Sequence, residues 1–285
     1  MPDTAFVSAN GSRLACRVWA GEAGPVICLP GLYGHKGTFD SLAAQLTPEF
    51  HLIALDLRGR GESDKPADGY GFAYHARDVL GFADALGFDS FAVMGHSFGA
   101  TVGVYLASIR PARVRALVML DGGADPSDTV FEAMRPAVRR LASVYDTQAD
   151  YLAAMRSLPF YRPWNDALER YLLEDLQALP DGRVQSRSSV AALERDLDVH
   201  AYYSMCLHFP ALRCPVLFVR PEQGLQGEHD HVFDARAAAA FAASIPHCKR
   251  VDVAGGNHFT MVLHDDPPAT APVREFLRGV YGSGD

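Results

Sequence analysis

The feature that most constrains the fold of this chain is an alternation of short apolar runs with longer stretches of helical periodicity. Five runs are apolar on both faces, as strands buried in a parallel sheet are: PVICL (25–29), HLIALD (51–56), FAVMGH (91–96), VRALVML (114–120) and PVLFVR (215–220). The helical stretches lie between and after these runs, at 38–47, 73–86, 98–109 and 269–280. This alternation predicts an α/β protein with a mostly parallel sheet and helices on both of its faces.

Further strands are predicted near both ends of the chain. Residues 5–8 and 13–19 flank Asn10-Gly11, a dipeptide that favours a two-residue hairpin turn. Residues 249–253 form an apparent strand before the final helical stretch. Loops rich in small and polar residues follow the strands, and such loops hold the ligands of open α/β sheets.

The alternation stops between residues 125 and 210. This segment contains amphipathic stretches at 129–145, 148–157, 166–177 and 190–208, many aromatic residues, and no strand-like apolar run. We therefore predict an all-helical insertion, a cap (lid) over the loops at one sheet edge, between a core domain of residues 1–124 and 211–285. The alternative is that these helices pack along the flanks of the sheet.

The amino-acid composition limits the kinds of binding partner and the cellular compartment that we expect for this protein. The chain carries 34 acidic and 26 basic residues, a net charge of −8, which argues against nucleic acid or an anionic membrane as a partner. The sequence has neither a signal-peptide pattern nor an apolar stretch of about 20 residues. The cysteines are odd in number and scattered, which favours free thiols over disulfides or zinc: Cys16, Cys28, Cys206, Cys214 and Cys248. We expect a cytoplasmic protein that binds a small molecule; its oligomeric state is left open.

The sharpest local motif is Gly95-His96-Ser97-Phe98-Gly99, a G-x-S-x-G string. It follows an apolar strand and opens a helical stretch, the context that a nucleophile elbow requires. The tight turn would strain Ser97 and hold its hydroxyl out of the sheet edge, in front of a helix N-terminus. We predict Ser97 as a nucleophile; the alternative is a serine in a glycine-rich turn.

A serine nucleophile needs a base, and His258 in Gly256-Asn257-His258 is the preferred histidine. It follows a strand, so it would lie at the same sheet edge as Ser97. His96 is expected to point away from Ser97, and His35 comes too early in the chain for the base, although it could contact substrate. His229 and His231 could be a metal pair, but no third ligand is evident.

The loop Leu29–Gly34 is glycine-rich and follows the first parallel strand. We predict that the backbone N–H groups of Leu32 and Phe98 form an oxyanion hole; the alternative is a plain turn. Residues beside these positions are predicted to contact substrate: Tyr33, His96 and Phe259.

Taken together, these motifs resemble the α/β-hydrolase fold family, in order and in spacing: Leu29-Pro30-Gly31-Leu32, Asp56 to Ser63 (DLRGRGES), Gly95 to Gly99, and Gly256-Asn257-His258. The resemblance implies an α/β-hydrolase fold with an eight-stranded sheet, a cap after the sixth strand, and a triad in the order Ser, acid, His. It implies no metal and no cofactor.

The sequence offers several candidates for the acid of that triad. Where many family members place an aspartate after the seventh strand, this chain has Gly224. Asp121, at the end of the sixth strand, is the preferred candidate, followed by Glu222 and then by Glu228 or Asp230. Alternatively, Asp121 has only a structural role, as a turn residue before Gly122-Gly123.

The sequence predicts a serine hydrolase that cleaves a small or medium carboxylic ester, lactone or thioester through an acyl-enzyme. Two alternatives stay open. One is a non-esterase on the same fold, namely a C–C bond hydrolase, lyase, perhydrolase or cofactor-free oxygenase. The other is a non-enzymatic ligand receptor on this scaffold.

Overall fold

The computed structural model describes residues 2–125, 128–225 and 230–282. The strands of this part of the chain are β1 Thr4–Ala9, β2 Ser12–Trp19, β3 Ala23–Leu29, β4 Phe50–Leu55, β5 Phe91–His96, β6 Val114–Leu120, β7 Val144–Tyr145, β8 Leu176–Ala178, β9 Val184–Ser186, β10 Val216–Pro221 and β11 Cys248–Val253. Its α-helices are α1 Asp40–Leu46, α2 Phe72–Ala85, α3 Phe98–Ile109, α4 Asp128–Arg140, α5 Gln148–Arg156, α6 Asp166–Glu174, α7 Val190–Ala201, α8 Ala235–Ser244 and α9 Thr270–Tyr281.

Eight of the strands form one sheet, in the spatial order β1-β2-β4-β3-β5-β6-β10-β11. The pairs β1–β2 and β2–β4 are antiparallel, and the other pairs are parallel. The predicted α/β architecture with a mostly parallel sheet is confirmed. Each run of apolar letters in the sequence became a strand, because strands buried on both faces need apolar residues at every position.

Helices cover both faces of the sheet. Ile27 and Leu29 of β3 pack in one core cluster with side chains of α2, α3 and α8, whereas Val26 and Cys28 pack in a second cluster with side chains of α1 and α9. Successive residues of a strand point to opposite faces. The same strand therefore supplies both cores. Helix α8, an alanine-rich stretch, was not among the predicted helices.

The segment between β6 and β10 leaves the sheet and returns to the neighbouring position, because β6 and β10 pair directly. We call this segment, residues 121–215, the insertion. It holds four helices, α4 to α7, and also a three-stranded antiparallel sheet in the order β7-β9-β8. The prediction of an all-helical segment was wrong here, because strands of two or three residues are too short to show an alternating pattern.

Two buried charge clusters attach the insertion to the rest of the molecule. Asp196 of α7 lies 2.6 Å from Arg60 and 3.0 Å from His75, and all three side chains are fully buried. Glu174 of α6 lies 2.8 Å from Arg17 and 3.2 Å from the Lys36 ammonium. The insertion is therefore fixed to the sheet and its loops at two separate helices.

None of the helices in the described ranges is long and apolar enough to cross a membrane.

Candidate active site

Ser97 lies on the sharp turn between β5 and α3, with φ of 53° and ψ of −119°. A positive φ strains a residue that has a side chain, at a cost of about 1–3 kcal/mol. The flanking glycines make the turn possible. A Cβ on Gly95 would overlap the backbone of Ala100, and one on Gly99 would overlap the carbonyl of Leu29. The turn has the geometry that the motif predicts.

The surroundings of Ser97 hold its backbone and leave its hydroxyl free to react. Its N–H donates to the Leu120 carbonyl over 2.9 Å, and its carbonyl accepts from the Ala100 N–H over 2.9 Å. The side chain is half-buried, and among the described residues its hydroxyl has no hydrogen-bond partner. The hydroxyl is therefore available to a base and to a substrate.

His258 lies in the loop after β11, and its Nδ1 is 2.7 Å from Oδ2 of Asp121. Asp121 ends β6 with a positive φ of 46°, and its N–H donates to the Val219 carbonyl over 2.9 Å. Both side chains are buried. An Nδ1–H that donates to this carboxylate leaves Nε2 as the nitrogen that can accept a proton.

The structure brings Asp121 to His258 and leaves the second acid candidate elsewhere. The Glu222 side chain is exposed, and its carbonyl accepts from His231 Nε2 over 2.8 Å; within the described chain we find no contact between its carboxylate and His258. Asp230 lies in the same loop, where its carbonyl accepts from the Leu225 N–H over 3.4 Å. Glu228 lies outside the described residues.

The loop after β3 packs against Ser97. A Cβ on Gly31 would lie 3.5 Å from the Cβ of Ser97, and the Gly34 N–H closes a turn on the Gly31 carbonyl over 3.0 Å. The Leu32 carbonyl accepts from Arg60 Nε over 2.8 Å. Within the described chain, neither the Leu32 N–H nor the Phe98 N–H has an acceptor, so both predicted oxyanion donors are free.

His96 does not have the surroundings expected of a substrate contact. Its side chain is buried, its Nε2–H donates to the His258 carbonyl over 2.8 Å, and the two rings lie 4.6 Å apart. Burial, with His258 beside it, lowers the pKa of His96 to about 3. A neutral His96 therefore braces the backbone of His258, and its contact with substrate stays a prediction.

Asn257 is a site residue that the sequence argument missed. Its Oδ1 accepts from the N–H groups of Phe259 and Thr260 over 2.9 and 3.0 Å, and its Nδ2 donates to the Phe160 carbonyl over 3.0 Å. An asparagine that bonds backbone two residues ahead forms an Asx turn, and that tendency was the available signal. Asn257 thus shapes the His258 loop and attaches it to the insertion.

Tyr33 and Phe259 line the space between the two loops and the insertion. Their ring centroids are 6.4 Å apart, and Phe259 packs on Phe160 and Tyr161 of the insertion at 5.2 Å each. Tyr33 also lines a partly open pocket, with about 470 Å³ of empty space that includes open solvent. We call it the tyrosine pocket, after five of its lining residues: Tyr33, Tyr145, Tyr151, Tyr161 and Tyr171.

In the parts of the chain that the structure describes, no group of three or more His, Cys, Asp or Glu residues could hold a metal ion. His229, one of the two histidines considered as a metal pair, lies outside those parts.

Comparison with known proteins places the chain in one family. Residues 24–265 match the family described as the alpha/beta hydrolase fold. The putative carbamate hydrolase RutD of Klebsiella pneumoniae is 30% identical over 93% of this chain and 99% of that protein. A serine hydrolase-like protein of Danio rerio is 34% identical, over 38% of this chain and 34% of that protein.

A solved structure gives the same architecture. The crystal structure of E-2-(acetamidomethylene)succinate hydrolase superposes with a TM-score of 0.82, over 98% of both chains, at 23% sequence identity. At that identity the likeness concerns the fold alone. The family and the named relatives support hydrolase activity, and the bond that is cleaved needs a separate argument.

Proposed function

We propose, from the premise that this chain belongs to the α/β-hydrolase fold family, that it is a serine hydrolase acting through an acyl-enzyme. The observation that carries the proposal is the 2.7 Å hydrogen bond between His258 and Asp121, at the same sheet edge as the strained turn of Ser97. A base oriented by a carboxylate beside an exposed hydroxyl is the arrangement that activates serine.

The proposed reaction has two halves. Ser97 Oγ attacks the substrate carbonyl while His258 Nε2 takes the hydroxyl proton; the bond to the leaving group then breaks, and His258 returns the proton to that group. Water next attacks the acyl-serine ester with His258 as base, which releases the acid and restores Ser97. Asp121 holds the imidazole and stabilises its charged form.

The N–H groups of Leu32 and Phe98 are the proposed donors to the oxyanion. Each donor of such a hole contributes about 3 kcal/mol to transition-state stability. Their lack of internal acceptors supports this role, since a buried N–H is otherwise almost always paired.

We propose that residues 125–210 act as the cap of the core domain formed by 1–124 and 211–285. Phe160 and Tyr161 of this segment pack against Phe259, the neighbour of His258. The cap therefore supplies one wall of the substrate site, and the aromatic wall suits a small or medium carboxylic ester, lactone or thioester. C–N bond cleavage is the second candidate, because the full-length Klebsiella relative is named for a carbamate.

Labelling with a fluorophosphonate, followed by hydrolysis assays on esters, lactones, thioesters and carbamates, tests the proposal. We expect Ser97→Ala to abolish labelling and to lower kcat by about 10⁴-fold or more. Ser108→Ala is the matched control, because Ser108 lies in α3, the helix that follows Ser97, and its hydroxyl lies 2.7 Å from a histidine nitrogen, His208 Nδ1, without a strained turn. Labelling that persists in Ser97→Ala would overturn the proposal, and an inert wild type would favour a receptor.

A further inference from the structure

The tyrosine pocket lies beside the proposed active site, and Phe259 lies between the two, because its ring is near that of His258 and near those of two pocket tyrosines. Tyr33 directly follows Leu32, and its ring lies 6.4 Å from that of Phe259, next to His258. Tyr161, on the other side, lies 5.2 Å from the same ring. A substrate whose carbonyl is held at Ser97 can therefore place its distal part among these tyrosines.

Arg140 lines the pocket and ends α4. It is half-buried, and its guanidinium carbon lies 5.7 Å from the Phe160 ring centroid. Two other arginines of α4 have acidic partners: Arg135 lies 2.7 Å from Asp198 and Arg139 lies 3.0 Å from Glu194. Arg140 has no such partner among the described residues. A guanidinium that is partly removed from water and unpaired favours an anion beside it.

Tyrosine hydroxyl groups lie in the same pocket as the Arg140 guanidinium and can act as hydrogen-bond donors. Burial raises the pKa of Tyr33 to about 12, and it raises those of Tyr151 and Tyr161 as well, against the nearby positive charge of Arg140. All three stay protonated at neutral pH. Within the described chain their hydroxyls have no hydrogen-bond partner, so each can donate to a ligand oxygen.

The lining of the tyrosine pocket also includes a carboxylate, that of Asp175. Asp175 is buried, its Oδ2 accepts from the Ser186 hydroxyl, and burial raises its pKa to about 6. Its negative charge reaches Tyr151 and Tyr171. The negative charge of Asp175 disfavours an anion beside it, whereas the positive charge of Arg140 favours one.

We infer that Arg140, with the hydroxyls of Tyr33 and Tyr161, binds a free carboxylate on the substrate of this enzyme. The substrate class is an ester, lactone or thioester whose acyl part ends in a carboxylate several bonds from the reacting carbonyl. A guanidinium with hydroxyl donors matches the geometry and charge of a carboxylate. The inference rests on the proposed function, because it extends the same site.

A pair of esters that differ in this one group tests the inference. Monoethyl glutarate carries the free carboxylate, and ethyl pentanoate is its neutral counterpart. We expect the wild type to prefer monoethyl glutarate by tenfold or more in kcat/KM, and Arg140→Gln to lower that preference at least tenfold. Arg139→Gln is the matched control and should keep the preference within twofold, because Arg139 is exposed and paired with Glu194.

Binding to the inactive Ser97→Ala variant separates this inference from the proposed function. Calorimetry should detect glutarate binding that Arg140→Gln removes, with thermal unfolding to show that the double variant is folded. Equal kcat/KM for the two esters, or a preference unchanged by Arg140→Gln, would overturn the carboxylate subsite even if labelling remains dependent on Ser97. Hydrolysis that survives Ser97→Ala would overturn the proposed function, while glutarate binding would still report on Arg140.

Discussion

At the scale of single residues, the site depends on backbone conformations that few residues adopt. Ser97 and Asp121 both have a positive φ, and they end neighbouring parallel strands, β5 and β6. Gly122, directly after Asp121, packs so closely on the Ser97 backbone that a Cβ there would overlap it. The turn at Ser97 and the chain after Asp121 therefore pack against each other at one sheet edge.

Replacing the carboxylate that contacts His258 is the sharpest residue-scale test. We expect Asp121→Asn to lower kcat by about 10³–10⁴-fold, because an amide no longer fixes the required tautomer or stabilises the charged imidazole. Glu222→Gln, a change of the same kind in the exposed candidate, should stay within twofold. Steady-state kinetics with one ester measure both, and equal losses would remove the assignment of Asp121.

His96 illustrates how position in sequence can mislead. It adjoins Ser97 in the motif, yet its imidazole contacts the backbone of the loop that carries His258. Its low pKa keeps it neutral, so its Nε2–H remains a donor throughout the physiological range. We propose that it is a positioning residue, because its imidazole contacts the backbone of His258.

At the scale of elements, the turn between β5 and α3 leaves no room for a side chain at either of its two glycines. The strand reaches the sheet edge, the chain reverses within one residue, and α3 begins at Phe98. Helix α3 then packs on β5 and β6, so the turn cannot relax by moving the helix away. Glycine at positions 95 and 99 is a steric requirement of this packing.

A small added side chain tests that requirement. We expect Gly99→Ala to destabilise the protein by about 3 kcal/mol or more, because the new methyl group overlaps the Leu29 carbonyl and a closely packed core cannot move to make room for it. Gly279→Ala in α9, where a Cβ meets nothing within 4 Å, should be neutral or stabilising by up to about 1 kcal/mol. Urea unfolding measures both free energies, and a stable Gly99→Ala variant would contradict the expectation.

At the scale of the whole molecule, the insertion is attached through buried charges. Burial by itself would raise the pKa of Asp196, but His75 and Arg60 beside it hold that pKa well below its ordinary value. The ionised form therefore stabilises the fold above that ordinary pKa, and this contribution is lost as the pH falls further. Acid should weaken the attachment of α7.

Neutralising this carboxylate should have a large effect on stability. We expect Asp196→Asn to lower the free energy of unfolding by about 3–5 kcal/mol, because it leaves the buried Arg60 without its counter-ion. Asp198→Asn, two residues along the same helix, breaks only an exposed pair with Arg135 and should cost about 1 kcal/mol or less. Urea unfolding at neutral pH compares them; similar losses for both would refute the role of the buried cluster.

Patterns local to the amino-acid sequence were enough to predict the parallel sheet, and they also supplied the prediction of Ser97 as nucleophile and His258 as base. Strands such as 114–120 are apolar at nearly every position because both of their faces are buried, and this pattern can be read directly from the sequence. Ser97 and His258 were predictable because each sits in a short motif whose glycines report local backbone geometry. The strand pattern and the two glycine-containing motifs depend only on residues that are close together in the sequence.

Only the tertiary structure decided which carboxylate meets His258, where His96 points, and what lines the pocket. Asp121 and Glu222 both follow strands, and the choice between them depends on a contact across 137 residues. The small sheet of the insertion, with strands of two or three residues, leaves no periodic trace. The unpaired state of Arg140 is likewise a property of its surroundings, because an ion pair is set by distance in space and not by order along the chain.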